Sequence, residues 1–255
     1  MTEGDGDLAG MIDRGGYEAV LFDLDGVITE TSTLHAAAWK EMFDAFLRSW
    51  STDHDQAFVP FDPEQDYRRY VDGKPRYDGV RNFLHSRDID LPDGTPDDPP
   101  DALTVCGLGN RKNELVQTIM HERGVDAYPG SIRLLHHVRE LGLKTAVVSS
   151  SKNCEAVIEV AGIADQFDVR VDGWDVEQGG IAGKPAPDTF LAAAAKLGVE
   201  PAKGVVFEDA LAGVQAGRAG HFGLVVGVDR LQQADELRHH GADVVVEDLA
   251  ELMPS

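Results

Sequence analysis

The stretch "VLFDLDGVITET", Val20–Thr31, indicates both the fold and the chemistry. Its apolar run predicts a buried strand, and two acids follow that run. Asp23 and Asp25 are one residue apart, directly after the run. Carboxylates at this spacing repel each other unless a proton or a cation neutralises them. The pair therefore predicts a neutralising group at the end of this strand.

Six short runs rich in β-branched residues predict buried strands. They begin at Ala19, Lys144, Phe167, Gly204, Phe222 and Ala242. Helical patterns lie between most of them, and several of these end in glycine, a common helix C-terminal signal. A strand that alternates with a helix indicates a parallel sheet with right-handed crossovers. We therefore expect an α/β fold with a three-layer, Rossmann-like parallel-sheet core.

The connection between the first two predicted strands does not follow this alternation of strand and helix. Residues 34–125 contain no run that reads as a buried strand, and two Pro/Asp-rich loops, 51–66 and 87–105, separate their helical patterns. So long an excursion inside a compact domain argues for a separate module. We predict a core domain of residues 1–33 and 126–255, with residues 34–125 inserted as a helical cap domain.

Composition limits the partners and the compartment. A net charge of −22 over 255 residues disfavours nucleic acid and anionic membranes, which attract Lys and Arg. Cys106 and Cys154, far apart in the chain, are expected to be reduced thiols. Residues 1–16 lack the apolar segment of a signal peptide and predict a frayed start. No apolar run approaches the ~20 residues of a membrane span. We expect a cytoplasmic monomer without nucleic-acid or membrane partners.

Reactive groups follow the predicted strands at their carboxyl ends, the edge where ligands bind in open parallel sheets. They are Asp23 and Asp25 after the first strand, Ser149 after the second, Glu208 and Asp209 at the fourth, and Lys184 in the loop before the helix that follows the third. An all-oxygen acid cluster suits Mg²⁺, which completes its shell with waters and phosphate oxygens.

The position of each group relative to the end of its strand separates the roles of these groups. Asp23 is placed to attack phosphorus and form an aspartyl-phosphate. Asp25, two positions on, points the same way and serves as the general acid and base. The Lys184 ammonium and the Ser149 hydroxyl stabilise charge on the transferring group. Each feature alone has an ordinary explanation, such as a turn acid or a helix cap, but their occurrence together favours function.

The motifs "DLDGVITET", "SSSK", "GKPAPD" and "ED", in this order, resemble the haloacid dehalogenase superfamily of phosphotransferases. Further segments, among them "HAAAWK", "GNRKNE" and "YPG", resemble its β-phosphoglucomutase-like subfamily. The likeness covers the core nearly throughout, but only parts of the cap. It implies that Mg²⁺ is held by Asp23, the Asp25 backbone carbonyl, Glu208 and Asp209.

The resemblance also implies a second phosphate site. Arg76 matches the cap arginine that grips the non-reacting phosphate, and its core-side partners are Ser151, Lys152 and Asn153. His35 and Lys112 match cap residues near the sugar and the general acid, and Thr31 matches a hinge position. As alternatives, His35 could simply pack in an amphipathic helix, and Arg76 and Lys112 could be solvated. The acidic cap loops and Ala210, where the subfamily often has a hydroxyl residue, depart from its pattern.

Three functions follow as hypotheses. The first is conversion of β-glucose 1-phosphate to glucose 6-phosphate through glucose 1,6-bisphosphate, with a small phosphorylated sugar as the substrate. The second is a phosphatase that uses the same aspartate but lets water resolve the aspartyl-phosphate. The third is a catalytically idle sugar-phosphate binder, which the complete set of reactive residues disfavours.

Overall fold

The computed structural model describes residues 8–254, which include a six-stranded parallel sheet. The strands are β1 Ala19–Phe22, β2 Lys144–Val148, β3 Val169–Val171, β4 Gly204–Glu208, β5 Leu224–Val228 and β6 Val244–Val246. They lie in the order β3-β2-β1-β4-β5-β6, and every pairing is parallel. All six predicted strands are confirmed, although each is shorter than the apolar run that predicted it.

Helices fill the connections. They are α1 Met11–Arg14, α2 Ser32–Asp53, α3 Arg76–Ser86, α4 Val105–Arg123, α5 Pro129–Glu140, α6 Cys154–Val160, α7 Gly173–Gly179, α8 Asp188–Leu197, α9 Leu211–Ala219 and α10 Ala234–His240. Within the described part of the chain, none of these helices combines the length and the apolar character that crossing a membrane requires. Cys106 and Cys154 are buried free thiols.

The sheet is covered on both faces, which explains why strands such as β1 and β5 are apolar throughout. On one face, Leu21 and Val206 join a buried cluster with Phe190 of α8 and residues of α9 and α10. On the other face, Phe22 stacks on Phe207 with ring centroids 5.0 Å apart, and α5 packs against β2. The predicted three-layer α/β core is therefore confirmed.

The start of the chain differs from its prediction. Residues 1–7 of the expected frayed segment lie outside the described residues. The part that follows contains the short helix α1, whose Ile12 is buried. Gly10 N also donates to Leu252 O at 2.9 Å. This segment is held by the C-terminal end of the chain, a contact that no local pattern reveals.

The chain divides into two compact units, Met1–Glu30 with Asp126–Ser255, and Thr31–Val125. We keep the predicted core and cap boundaries as a proposal. The second unit contains α2, α3 and α4 around an aromatic core. Phe43 lies at its centre, 4.1 Å from Phe83 and 5.2 Å from Phe61 between ring centroids. The helix α3 was not predicted.

We expect Phe83→Ala to lower the free energy of unfolding by about 3–5 kcal/mol, because it removes a buried ring and leaves a cavity. Urea unfolding monitored by near-ultraviolet circular dichroism measures this change. Leu103 is 64% exposed, so Leu103→Ala is the control and should change the free energy by less than about 0.5 kcal/mol. Equal effects of the two variants would contradict the position of the aromatic core.

Candidate active site

The carboxyl ends of β1 and β4 bring three acids together. The two strands are neighbours with Phe22 opposite Phe207, and Asp23 N donates to Phe207 O at 2.9 Å. Asp23 follows β1, while Glu208 ends β4 and Asp209 follows it. One carboxylate oxygen of each acid lies within 4.8 Å of the others, and all three residues are buried. Parallel register therefore produces the cluster that the strand ends predicted.

Lys184 lies inside this cluster. Its side chain is fully buried, and its ammonium donates to Oδ1 of Asp23, to Oε1 of Glu208 at 2.7 Å and to Val148 O at 3.0 Å. Burial opposes the charged form of Lys184, but the carboxylates of Asp23 and Glu208 outweigh it and raise the pKa of the ammonium. The lysine is therefore a permanent positive charge at this position.

One ammonium does not neutralise all the acids. Burial raises the pKa of Asp23 well above its usual range, and the charges of Glu208 and Asp25 add to this effect, although Lys184 lowers it. A divalent cation among the same oxygens would favour the ionised form of Asp23. Asp23, Glu208 and Asp209 supply the hard oxygen donors that Mg²⁺ prefers. The residues present therefore fit the metal that the resemblance implies.

Two glycines make room for these carboxylates. A Cβ on Gly26 would overlap the Asp209 carboxylate, and a Cβ on Gly213 would overlap that of Glu208. Gly26 also has φ of +85°, a conformation that other residues rarely adopt. The acids can occupy their places only because these two positions lack side chains.

The loop after β2 carries the hydroxyl groups. Ser149 Oγ lies 3.4 Å from Oδ2 of Asp25 and accepts from Ser151 N at 3.0 Å. Ser151 Oγ in turn accepts from Asn153 N at 3.1 Å. The ammonium of Lys152 pairs with Glu177 and lies 4.5 Å from the centroid of the Trp174 ring. The structure thus places Ser149 beside Asp25 and the other three residues along the same turn.

Two residues that follow β5 support the site and were missed from the sequence. Gln233 is buried and donates through Nε2 to the Asp209 carbonyl at 3.0 Å. Arg230 donates through Nε to the Gly26 carbonyl at 2.8 Å, and its guanidinium lies 3.7 Å from the Tyr128 ring centroid. Both act on backbone carbonyls, which leaves no motif for a sequence search to find.

The second unit holds the remaining predicted residues. Lys112 is buried, donates to Nδ1 of His35 at 2.9 Å and lies 4.8 Å from the Trp39 ring centroid. Arg76 begins α3 and bonds through Nη2 to the side chain of Asn110. Thr31 is buried at the start of α2. Lys112 is therefore not a solvated surface lysine, and Arg76 is held by a specific partner.

Comparison with known proteins identifies the family. A family profile described as a haloacid dehalogenase-like hydrolase matches residues 17–221. The chain belongs to this family. Within it, the β-phosphoglucomutase of Mycobacterium bovis is 55% identical over 238 residues, 92% of this chain and 91% of the relative. The fructose-1-phosphate phosphatase of Escherichia coli is 30% identical over 206 residues, 80% of this chain and 92% of that protein.

A solved structure agrees with this assignment. The crystal structure of β-phosphoglucomutase from Clostridium difficile matches with a TM-score of 0.71 and 26% identity, covering 92% of this chain and 93% of that one. The expected resemblance to the haloacid dehalogenase superfamily and its β-phosphoglucomutase-like subfamily is confirmed. The chain is an enzyme of the β-phosphoglucomutase or family-phosphatase type.

Magnesium is expected to raise the melting temperature of the metal-free protein, because an ion that binds only the folded state stabilises it. At a hundredfold excess over Kd the gain is about 2.7 kcal/mol, or several degrees for a chain of this size. Asp209→Asn should lose at least half of this shift in a thermal melt after chelation, whereas Asp235→Asn, an exposed acid, should retain it. A full shift in Asp209→Asn would exclude Asp209 from the metal set.

Proposed function

We propose that this chain is a β-phosphoglucomutase that converts β-glucose 1-phosphate to glucose 6-phosphate through glucose 1,6-bisphosphate. The observation that carries the proposal is the buried Asp23 carboxylate beside Lys184, Glu208 and Asp209, in a chain similar over most of its length to a named β-phosphoglucomutase. We also propose that the enzyme is a cytoplasmic monomer that acts on a small phosphorylated sugar.

In the proposed reaction, the Asp23 carboxylate attacks the C1 phosphorus of glucose 1,6-bisphosphate, and the aspartyl-phosphate then passes its phosphoryl group to the 6-hydroxyl of β-glucose 1-phosphate. A bond forms between the Asp23 carboxylate oxygen and phosphorus while the bond from phosphorus to the sugar oxygen breaks. Asp25 protonates that leaving oxygen and later removes the proton of the hydroxyl that attacks the aspartyl-phosphate. Lys184 and Ser149 bind the equatorial oxygens, where charge accumulates. Mg²⁺, held by Asp23, the Asp25 carbonyl, Glu208 and Asp209, would neutralise charge on the phosphoryl group.

A mutase needs a second phosphate site, because its bisphosphate intermediate must be held by the group that is not reacting. We assign Arg76 to this phosphate, since a guanidinium can bind phosphate through two parallel hydrogen bonds. The core-side partners in this proposal are Ser151, Lys152 and Asn153. His35 and Lys112 are assigned to the neighbourhood of the sugar and the general acid, and Thr31 to a hinge.

Similarity to a fructose-1-phosphate phosphatase supports the alternative function, hydrolysis of a sugar phosphate. The two functions share the aspartyl-phosphate and differ in what resolves it. Incubation with β-glucose 1-phosphate, Mg²⁺ and a trace of glucose 1,6-bisphosphate separates them. Glucose 6-phosphate is the product that supports the mutase, whereas free phosphate with glucose supports the phosphatase.

Asp23→Asn should lower turnover of β-glucose 1-phosphate by at least about 10³-fold, because the amide cannot form the aspartyl-phosphate. Far-ultraviolet circular dichroism checks that the variant folds, and Asp235→Asn provides an exposed control with the same chemical change. Turnover within tenfold of the unaltered enzyme would refute Asp23 as the nucleophile. That result would not contradict the position of the acid cluster.

Arg76→Ala should lower mutase activity at least about tenfold more than it lowers hydrolysis of p-nitrophenyl phosphate, which carries no second phosphate. Coupled assay of glucose 6-phosphate and release of p-nitrophenol measure the two rates. Arg69→Ala removes an exposed guanidinium from the same unit and serves as the control. If both activities of Arg76→Ala fell by the same factor, Arg76 would not be the distal phosphate ligand.

A further inference from the structure

The second Pro/Asp-rich stretch, which the sequence left without a role, has a defined structure. We call residues 92–104 the acidic loop. Inside it, the Asp98 carboxylate accepts from Thr95 Oγ1 at 2.9 Å and from Thr104 Oγ1 at 2.6 Å. Thr104 also accepts from Gly107 N at 2.9 Å and so caps α4. The loop is therefore a closed turn that leads directly into the helix.

Asn110, one turn into α4, ties the acidic loop to the helix. Its Nδ2 donates to Pro96 O at 3.0 Å and to Asp98 O at 2.8 Å. Two carbonyls use both amide hydrogens, so the amide oxygen must face the other way. Arg111 supplies a second tie by donating through Nε to Pro100 O at 2.9 Å. The loop thus determines the orientation of the Asn110 amide.

The amide oxygen faces Arg76. Asn110 Oδ1 accepts from Arg76 Nη2 at 3.1 Å and from Tyr77 Oη at 2.9 Å. Arg76 Nη2 also donates to Tyr77 Oη at 3.0 Å, and its Cζ lies 4.9 Å from the Tyr77 ring centroid. A reversed amide would aim N–H groups at the guanidinium, where donors would face donors. The three hydrogen bonds among Arg76, Asn110 and Tyr77, here called the triangle, therefore depend on the orientation that the acidic loop imposes.

The triangle leaves Arg76 with hydrogen-bonding capacity. Its Nε is buried and has no hydrogen-bond partner within residues 8–254. Gly109 allows the close approach, because a Cβ there would lie 2.7 Å from Cδ1 of the Tyr77 ring. Asn110 and Tyr77 are neutral groups, so they orient the guanidinium and leave its positive charge available to an anion.

We propose that Asn110 is a positioning residue for Arg76, and that the acidic loop holds Asn110 in the orientation this role requires. The inference rests on the proposed function, in which Arg76 binds the non-reacting phosphate. A long arginine side chain loses rotamer freedom when it grips a ligand, and restraint in advance reduces that loss. Asn110 therefore acts on the affinity for phosphorylated sugar and not on the chemical step.

A double-mutant cycle tests this role. The KM for β-glucose 1-phosphate and the half-saturating concentration of glucose 1,6-bisphosphate are measured for the unaltered enzyme, Asn110→Ala, Arg76→Ala and the double variant. We expect Asn110→Ala to raise both constants about tenfold, the value of one charge-assisted hydrogen bond, with kcat within about threefold. Hydrolysis of p-nitrophenyl phosphate should change less than about twofold.

The cycle separates positioning from a purely structural role. In the Arg76→Ala background, Asn110→Ala should add less than about twofold, because the group that it orients is absent. Effects that multiply independently, or an unchanged KM in Asn110→Ala, would overturn the proposal. Asn82→Ala makes the same substitution at an exposed position of α3 and should match the unaltered enzyme.

Tyr77→Phe keeps the test valid if Asn110→Ala does not fold. It removes one hydroxyl from the triangle but keeps the ring against the guanidinium, so we expect a rise in KM of about threefold with an unchanged melting temperature. That rise should disappear in the Arg76→Ala background, and its persistence there would count against the proposal. If Arg76→Ala itself affected mutase and hydrolysis equally, the assignment of Arg76 would fail, and this inference with it.

Discussion

The contact between the Lys184 ammonium and the buried carboxylates of Asp23 and Glu208 is the interaction on which the site depends. Three acids at one strand edge would be costly without a counter-charge, because burial strengthens their repulsion and disfavours their ionised forms. Lys184 makes the arrangement tolerable but supplies one positive charge only. The remaining negative charge is what a divalent ion would neutralise, so the same imbalance that threatens stability creates affinity for a metal.

The backbone provides the other half of the site. Gly26 and Gly213 leave the space that the Asp209 and Glu208 carboxylates occupy, and Gly26 N donates to Thr29 O at 2.8 Å within the loop that follows Asp25. Arg230 and Gln233 then hold the carbonyls of Gly26 and Asp209. The acids are thus positioned by main-chain turns that are themselves fixed by side chains from the segment that follows β5. A site held in this way needs little reorganisation when charge develops on a substrate.

The parts of this structure that sequence could predict are those where a local pattern reports a position in space. Asp23 follows an apolar run and Glu208 ends one, and parallel strands carry their carboxyl ends to one edge, so their proximity was predictable. Gln233 acts through a backbone carbonyl and gives no such signal. The helix α3 was missed because Gly79 in its interior reads as a breaker, yet a Cβ there would lie 3.4 Å from the Trp39 ring. The glycine permits close packing, which favours a helix that propensity alone argued against.

The strongly acidic composition sets a further constraint on an enzyme whose proposed substrate is itself an anion. With 45 acidic residues against 23 lysines and arginines, a cation that must attract phosphate is easily neutralised by a neighbouring carboxylate. Arg76 avoids this because its hydrogen-bond partners are the Asn110 amide and the Tyr77 hydroxyl. Neutral acceptors restrain Arg76 without cancelling its charge, unlike the carboxylates that pair with Lys184 and Lys152. They reconcile an acidic chain with the phosphate binding proposed for this residue.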